Sequence, residues 1–219
     1  MKKVLLGISS IILSCVIAGA AEQKFEPIKL PAPQLERGKP LMQSLKNRQS
    51  MRNIAPDKLS LQELSNILWS ARGINRPESG KLTAPTACNW QEIDVYAALP
   101  EGLYLYNARE HILAPVLNED IRAFAGKQTF LQTAPVVLIY TADFDKMTRG
   151  SERVSEELQK FYSATDAGFI SQNVYLYCAS EGLATVVIGM VDKPRLQEKM
   201  KLRPAQRVIL TQPVGYPEK

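Results

Sequence analysis

The chain has 219 residues, of which 45% are hydrophobic and 22% charged, and its formal net charge is +5. This composition is typical of a globular protein and excludes a largely disordered chain, and the mild positive charge does not indicate a nucleic-acid-binding protein. The chain has a single histidine and three cysteines without a Cys-x-x-Cys pair, which excludes a histidine-rich metal site. It has no Gly-rich phosphate-loop motif, which excludes the common nucleotide-binding motifs.

Residues 1–20 have the pattern of a secretory signal peptide. Two lysines precede the apolar run VLLGISSIILSCVI, and the small residues AGA follow. The run is shorter than the roughly 20 residues that span a bilayer, so we expect cleavage after Ala20 and export, to the periplasm, without a stable membrane span. Lipidation at Cys15 is the less favoured alternative. Cleavage would leave 199 residues with a formal charge of +3, enough for one domain with a single core.

The first part of the remaining chain predicts an arm followed by helices. Four prolines within residues 21–40 indicate an extended arm, and residues 41–47 can form a short helix. The clearest helix covers residues 60–72, where Ser60 and Glu63 form a capping box ahead of a helical apolar pattern. Gly73 follows at the position where a left-handed C-cap is expected.

The rest of the chain alternates between strand and helix patterns. Residues 92–99 and 103–107 predict a hairpin around a Pro-Glu-Gly turn. Further predicted elements are a weak helix at 118–132, a buried strand at 134–143, a helix at 152–162 with Ser151 as its cap, a buried helix at 166–183, a strand at 184–188, a helix from Asp192 to Met200, and a final strand at 207–217. This order predicts an α+β domain around a mixed sheet.

The segment LKNRQSMR places two arginines and a serine at alternating positions. In an extended segment Arg48, Ser50 and Arg52 project to one side. Guanidinium groups bind phosphate oxygens in a bidentate manner and stay charged at any working pH, and a hydroxyl can donate to the same oxygens. Taken alone, the segment is either a solvated basic stretch or a phosphate site.

No self-contained catalytic group stands out in the sequence. A Ser-His-Asp triad could form only around His111, and no G-x-S-x-G motif supports one. Cys88 and Cys178, the cysteines that remain after cleavage, could pair in an oxidising compartment. An enzyme with this sequence would therefore depend on a bound cofactor for its chemistry.

Four stretches, taken in order, resemble the FMN-dependent nitroreductase family, including its small thiazoline-oxidase-like members. They are RQSMR at 48–52, PTACNWQ at 85–91, DAGFISQNVYLYCASEGLATVVIGMVD at 166–192 and PVGYP at 213–217. The resemblance implies an α+β nitroreductase-like fold over residues 41–219, with a central mixed or antiparallel sheet flanked by helices. It also implies a homodimer with FMN at the interface, and two-electron or hydride transfer through the flavin N5 to or from a small conjugated substrate in a ping-pong reaction.

The resemblance also implies which residues contact the cofactor. Arg48, Ser50 and Arg52 would bind the FMN phosphate, and a third cation near the C-terminus, one of Arg203, Arg207 and Lys219, would join them. The ring would be contacted by Pro85, Thr86, Ala87, Asn89 and Gln91 from one loop and by Ile188, Gly189 and Met190, whose backbone N–H groups would face N5. It assigns no side chain as a general acid or base and none as a metal ligand.

Two positions depart from the pattern of the family. Cys88 stands where small residues are more usual in the family, and its side chain is either a small apolar group that fills space or a redox-active thiol. Gly189-Met190 stands where some relatives carry Glu-Gly. The sequence therefore leaves a second function open, a non-catalytic extracytoplasmic flavin-binding or scaffold protein. It also leaves the electron donor open between NAD(P)H and an extracytoplasmic donor.

Overall fold

The computed structural model describes residues 25–218, so the predicted signal peptide and the first residues of the arm lie outside the described residues. In chain order the elements are β1 (Ile28–Lys29), α1 (Leu41–Asn47), α2 (Leu61–Arg72), β2 (Ile74–Arg76), β3 (Lys81–Leu82), β4 (Ile93–Leu99), β5 (Gly102–Asn107), β6 (Ile112–Leu117), β7 (Val136–Asp143), β8 (Thr148–Arg149), β9 (Glu152–Arg153), α3 (Glu156–Glu181), β10 (Ala184–Thr185), α4 (Lys193–Lys199) and β11 (Gln206–Gly215). Short 3-10 turns occupy Ala87–Asn89, Arg122–Phe124, Thr129–Gln132 and Phe144–Lys146.

Seven strands form the central sheet in the order β1-β6-β5-β4-β7-β11-β10. Every neighbouring pair in it is antiparallel. Of the mixed and antiparallel sheets that the sequence allowed, the structure therefore shows the antiparallel one, flanked by helices as expected for an α+β fold. The predicted hairpin is confirmed as β4 and β5, with Leu99 opposite Gly102.

The core lies on both faces of this sheet because its central strand β7 is buried along its whole length. Leu138 and Tyr140 point to the face that α2 and α3 cover, where they join Ile67 and Val174. Val137 and Ile139 point to the opposite face, which α4 and the 3-10 turns cover with Ile121, Leu131 and Leu196. Burial on both faces explains why residues 134–143 carry no charge before Asp143.

The capping box of α2 is confirmed, but the conformation predicted for its C-terminal glycine is wrong. Ser60 accepts from the Glu63 N–H, and the Glu63 carboxylate accepts from the Ser60 N–H. Gly73 is extended, with φ −68°, rather than left-handed. A Cβ added at Gly73 would lie 2.3 Å from the Trp69 ring, so glycine is required here for close approach.

The helices predicted at 152–162 and 166–183 are one helix, α3, of 26 residues. Its N-cap is Ser155, which accepts from the Leu158 N–H, and its C-cap is Gly182 in the left-handed conformation. Ser151 is not a cap, because it lies in the turn of the small β8–β9 hairpin beside the left-handed Gly150. No glycine or proline separates the two predicted segments, so nothing in residues 163–165 ends the helix.

The region 107–132 contains a strand that the sequence analysis missed. β6 pairs with β5 on one side and with β1 on the other, despite Pro115 within it. The weak helix expected at 118–132 is wrong, since this region holds only two 3-10 turns. Arg122 there is nearly buried and donates to the Asp120 carboxylate and to the Ala134 carbonyl, which holds the turns against the sheet. The helix capped by Asp192 is confirmed as α4.

The arm is fixed to the domain through His111 and Ser65. Ser65 Oγ lies 2.7 Å from His111 Nε2 and donates to the Pro31 carbonyl at 2.6 Å, and His111 Nδ1 lies 2.9 Å from Tyr106 Oη. Ser65 is 0% exposed, so no substrate can reach its hydroxyl. This serine–histidine contact is structural, and it is not the beginning of a catalytic triad.

Candidate functional site

The segment after α1 presents two arginines at the surface. Arg48 is the half-buried C-cap residue of α1, and Ser50 and Arg52 are exposed. Arg48 Cζ lies 5.4 Å from the centre of the Tyr175 ring, in the range of a cation–π contact. Within residues 25–218 neither arginine forms an ion pair with a carboxylate. Both charges are therefore available to an anion.

Tyr175 of α3 joins this segment to residues 187–190. Its hydroxyl oxygen lies 2.9 Å from Ser50 Oγ and accepts from the Val187 N–H at 2.9 Å. The Met51 N–H also donates to the Thr185 carbonyl. Residues 48–52 thus lie beside residues 185–187, which lead directly into the predicted wall at residues 188–190.

The backbone of residues 188–190 changes character at Gly189. Ile188 is buried, and its N–H and carbonyl are both bonded to Thr211 of β11. The N–H groups of Gly189 and Met190, by contrast, donate to no group in the described part of the chain. A Cβ added at Gly189 would meet only Leu210 Cδ2, at 3.9 Å, so this backbone faces open space.

The loop 85–91 has an unusual backbone. Cys88, Asn89 and Gln91 have φ angles of 50°, 55° and 50°, in the left-handed region that only glycine adopts without cost. Three such residues within four positions need strong support from their surroundings, and such strain is concentrated at functional sites. Pro85, Cys88 and Asn89 are exposed, so the strained part of the loop faces outward.

The other polar groups of this loop point inward. Thr86 Oγ1 donates to Glu92 Oε2 at 3.0 Å and accepts from the Gln91 N–H at 3.0 Å, and the Ala87 N–H donates to Asp166 Oδ2 at 2.8 Å. Gln91 Nε2 donates to the Gly80 carbonyl and to Asn89 Oδ1. Thr86 and Ala87 therefore hold the loop, while Asn89 Nδ2 and Gln91 Oε1 are the amide atoms left for another partner.

Two buried carboxyl groups, Glu92 and Asp166, lie under the loop. They are 0% and 2% exposed, and Glu92 Oε1 has no hydrogen-bond partner among the described residues. Burial, together with the neighbouring negative charge of Asp166, raises the pKa of Glu92 to about 7. The sequence analysis missed both residues, because neither a carboxylate ahead of a strand, such as Glu92, nor one within a helix, such as Asp166, gives a local sign of its burial.

Two lysines were also missed. A cleft of about 620 Å³ opens beside the Arg48 segment, and Lys39, Lys46, Arg48 and Tyr175 are among the residues that line it. In the sequence, only the position of Lys39 and Lys46 shortly before Arg48 could have pointed to them. The C-terminal cations considered instead lie elsewhere: Arg203 pairs with Asp143 at 2.5 Å, and Lys219 is outside the described residues.

Arg207 is also remote from the Arg48 segment. It lies near the start of β11, with its Cζ 5.8 Å from the centre of the Phe144 ring. The Arg48 segment contacts Thr185, which pairs with Val214 near the other end of β11. Seven strand residues separate Arg207 from Val214, roughly 23 Å. Within one protomer Arg207 therefore does not join the phosphate-binding residues.

The structure does not bring the loop 85–91 and the Arg48 segment into one pocket. The loop is held by Asp166, and the segment by Tyr175, nine residues further along α3. In an α-helix nine residues correspond to two and a half turns and about 13.5 Å, so these side chains leave the helix on opposite sides. One protomer thus presents two half-sites that flank α3.

Among the described residues, neither Cys88 nor Cys178 forms a disulfide bond. Cys88 is exposed in the loop, and Cys178 is buried in α3, where burial raises the pKa of its thiol.

Comparison with known proteins gives consistent matches. Residues 45–216 match the model of the Nitroreductase family. A candidate nitroreductase of Methanocaldococcus jannaschii is 31% identical over 200 residues, which cover 87% of this chain and 97% of that protein. A solved structure of a candidate nitroreductase of Ralstonia eutropha has a TM-score of 0.83 at 38% identity, covering 89% of this chain and 90% of its own.

A more distant structure shares the fold alone. It is the NADPH:FMN oxidoreductase of Vibrio harveyi in complex with NAD⁺, with a TM-score of 0.62 at 16% identity, covering 82% of this chain and 69% of its own.

Proposed function

Because the chain belongs to the nitroreductase family, we propose that it is an exported FMN-dependent oxidoreductase acting on a small conjugated substrate. Oxidoreductases of this family are typically flavin-dependent. The observation that carries the proposal is a set of surface donors that have no acceptor among residues 25–218: the guanidinium groups of Arg48 and Arg52 and the N–H groups of Gly189 and Met190.

The donors at the Arg48 segment fit a phosphate monoester. Two guanidinium groups can each offer two parallel N–H bonds to phosphate oxygens. The Val187 N–H occupies one lone pair of Tyr175 Oη, so donation from Tyr175 to Ser50 leaves the Ser50 hydrogen available to the same phosphate. Lys39 and Lys46 in the adjoining cleft add positive charge.

The remaining donors and acceptors fit the polar edge of an isoalloxazine ring. Asn89 Nδ2 and Gln91 Oε1 offer one donor and one acceptor, and the free N–H groups at Gly189 and Met190 can approach a ring nitrogen closely because Gly189 carries no side chain. When bound, FMN would supply two-electron transfer at its N5 atom. The part of this chain is to bind and orient the cofactor and to leave one face open to the substrate.

The two half-sites on opposite sides of α3 support a homodimer. The exposed face of α3 carries Phe161 and Phe169, 62% and 44% exposed, and α1 exposes Leu41 and Met42 at 63% and 74%. Large apolar side chains exposed together on adjacent helices indicate a protein–protein interface. A second copy packed there would bring its own loop 85–91 or Arg48 segment to complete the site.

Export and the choice of electron donor belong to the same proposal. The pattern of residues 1–20 supports a cleaved signal peptide and a periplasmic enzyme, and no helix within residues 25–218 has the length and apolarity to cross a bilayer. A ping-pong reaction with NAD(P)H or with an extracytoplasmic donor suits an enzyme that carries its electrons on a bound flavin.

The visible spectrum of the purified mature protein tests the cofactor. The proposal predicts a yellow protein, or an FMN-free protein that takes up one FMN per protomer. A colourless protein that cannot be reconstituted with FMN would contradict it. N-terminal sequencing of the protein recovered from the periplasm tests export, with Ala21 expected as the first residue.

A second measurement separates an enzyme from a flavin-binding scaffold. The bound flavin is reduced photochemically, and its reoxidation by quinones, nitroaromatic compounds and oxygen is followed. Reoxidation faster than that of free FMN is expected for at least one acceptor class. Rates that never exceed those of free FMN would instead support the non-catalytic alternative.

A further inference from the structure

The strongest unassigned feature is the buried carboxyl pair beneath the loop 85–91. Each member holds one of two consecutive loop residues, since Glu92 accepts from the Thr86 hydroxyl and Asp166 accepts from the Ala87 N–H. Thr86 in turn accepts from the Gln91 N–H. Two hydrogen bonds to carboxyl groups and one to the Thr86 hydroxyl therefore fix a loop with three left-handed residues.

The hydrogen bonds leave one oxygen of the pair unexplained. Glu92 Oε1 is buried and has no partner among the described residues, and a buried carboxylate oxygen without a donor is costly. The negative charge of Asp166 favours the protonated form of Glu92. A proton shared between the two carboxyl groups lets one donate to the other and leaves both loop bonds unchanged.

The charges around the pair agree with one proton. Asp166 of α3 is the negative charge that acts on Glu92, and Arg72 of α2 is the cation that interacts with Glu92. Arg72 also interacts with Tyr106 of β5 and lies 3.9 Å from Asp94 of β4, which pairs with Lys146 at 3.0 Å. Because Arg72 is shared with Asp94, ionisation of Glu92 would add a second buried negative charge beside Asp166 without a cation of its own.

We propose that Glu92 and Asp166 are positioning residues that share one proton and hold the loop 85–91 in its flavin-binding conformation. Loss of that proton sets two buried carboxylates against each other beneath Thr86 and Ala87 and loosens the loop. Flavin affinity is then linked to the proton, and it weakens as the pH rises through neutrality. The inference rests on the proposed function, because it assigns the loop to FMN.

The raised pKa of Glu92, about 7, places this transition near neutral pH. The FMN phosphate also ionises near pH 6, so the wild type alone cannot report on the pair. Glu92→Gln is the matched variant, because its amide accepts from Thr86, donates to Asp166 and does not titrate. Asp145→Asn is the control, since Asp145 pairs with Arg153 and Arg203 and makes no bond to Thr86 or Ala87.

The test is the Kd for FMN of the three proteins from pH 5.5 to pH 9, measured by quenching of flavin fluorescence. Because FMN is the same in each titration, its own ionisation cancels in the ratio of two Kd values. The wild type and Glu92→Gln should bind equally at pH 5.5, and Glu92→Gln should bind about tenfold more tightly at pH 8.5, the factor that corresponds to one pKa unit of linkage. Asp145→Asn should follow the wild type.

A ratio that stays constant across this range would overturn the proposal. Should Glu92→Gln fail to fold, Asp166→Asn makes the same comparison, because its amide accepts from the Ala87 N–H and donates to Glu92.

Hydrogen exchange in the FMN-free protein separates this inference from the proposed function. The Ala87 and Gln91 amides should exchange at least tenfold faster in the wild type than in Glu92→Gln at pH 8.5, and equally at pH 5.5. If neither the wild type nor its variants bind FMN, the proposed function fails, and the exchange comparison alone then tests the shared proton. Equal exchange at both pH values would overturn the shared proton even if FMN binds.

Discussion

Tyr175 connects the parts of the candidate site, although no pattern in the sequence assigned it a role there. Its hydroxyl group contacts Ser50 and accepts from the Val187 N–H, and its ring lies beneath Arg48. The Arg48 segment and residues 187–190 are more than 130 residues apart in the chain, so no local pattern could reveal this contact. The residue types that carry donors were predictable, whereas the residue that aligns them was not.

Tyr175→Phe should weaken FMN binding about five- to thirtyfold. The variant keeps the ring under Arg48 but removes the hydroxyl that fixes Ser50 and Val187, and one such hydrogen bond is worth about 1–2 kcal/mol. Isothermal titration with FMN measures the change. Tyr162→Phe, on the half-buried part of α3 that packs on Trp90, is the control and should bind as the wild type does.

Glu92 also determines how stability depends on pH. A carboxyl group whose pKa is raised in the folded state keeps its proton while the unfolded chain loses it, so the free energy of unfolding falls as pH rises from about 4.5 to about 7 and is then constant. The loss due to Glu92 is on the order of 3 kcal/mol. Glu92→Gln should remove this part of the slope.

Urea unfolding of the FMN-free protein at pH 5, 6, 7 and 8 measures this effect. Glu92→Gln should gain stability relative to the wild type between pH 5 and pH 7, and Asp145→Asn should show no such gain. Parallel stability curves for the wild type and Glu92→Gln would show that the pKa of Glu92 is not raised in the folded protein.

At the scale of elements, patterns with local causes were predictable. The capping box of α2, the cap of α4 at Asp192 and the apolar run of β7 are confirmed, because each depends on neighbouring residues alone. β6 was missed because its own sequence pattern is a weak strand signal. Its pairing with β5 on one side and with β1 of the arm on the other makes it a strand. The start of α3 was misplaced because a serine can cap a helix or occupy a turn, and the β8–β9 hairpin decides between them.

Ser155→Ala should lower the free energy of unfolding by about 1 kcal/mol, the usual cost of losing an N-cap. Ser151→Ala should change it by less than about 0.5 kcal/mol, since Ser151 is exposed in a turn. Thermal or urea unfolding of the two variants gives both values. A larger cost at Ser151 than at Ser155 would support the start predicted from the sequence over the one in the structure.

At the scale of the whole molecule, the fold class was predictable from the sequence. The sequence did not reveal that one protomer presents two separate half-sites. The antiparallel sheet with flanking helices matches the expected class, and the family is shown by the match over residues 45–216. The position of the loop 85–91 on the opposite side of α3 from Arg48 could not be read from spacing, because it depends on how α3 crosses the sheet. This arrangement is why we expect the functional unit to contain two chains.

Phe161→Ser with Phe169→Ser should shift the protein from dimer to monomer and lower FMN affinity at the same time. Both side chains lie on the exposed face of α3, where a partner would bury them. Sedimentation velocity gives the oligomeric state, and Leu35→Ser, which removes an equally exposed apolar side chain from the arm, is the control. A double variant that stays dimeric would place the interface elsewhere.

The central claim, that Arg48 and Arg52 bind the phosphate of FMN, is tested most directly by the Kd for FMN of the variant Arg48→Ala/Arg52→Ala. The control Arg109→Ala/Arg195→Ala removes the same charge from exposed positions away from the segment. With charged hydrogen bonds worth about 1.5–3 kcal/mol each, the account predicts a loss of at least about a hundredfold for the first variant and less than about threefold for the control. An unchanged Kd in Arg48→Ala/Arg52→Ala would contradict it.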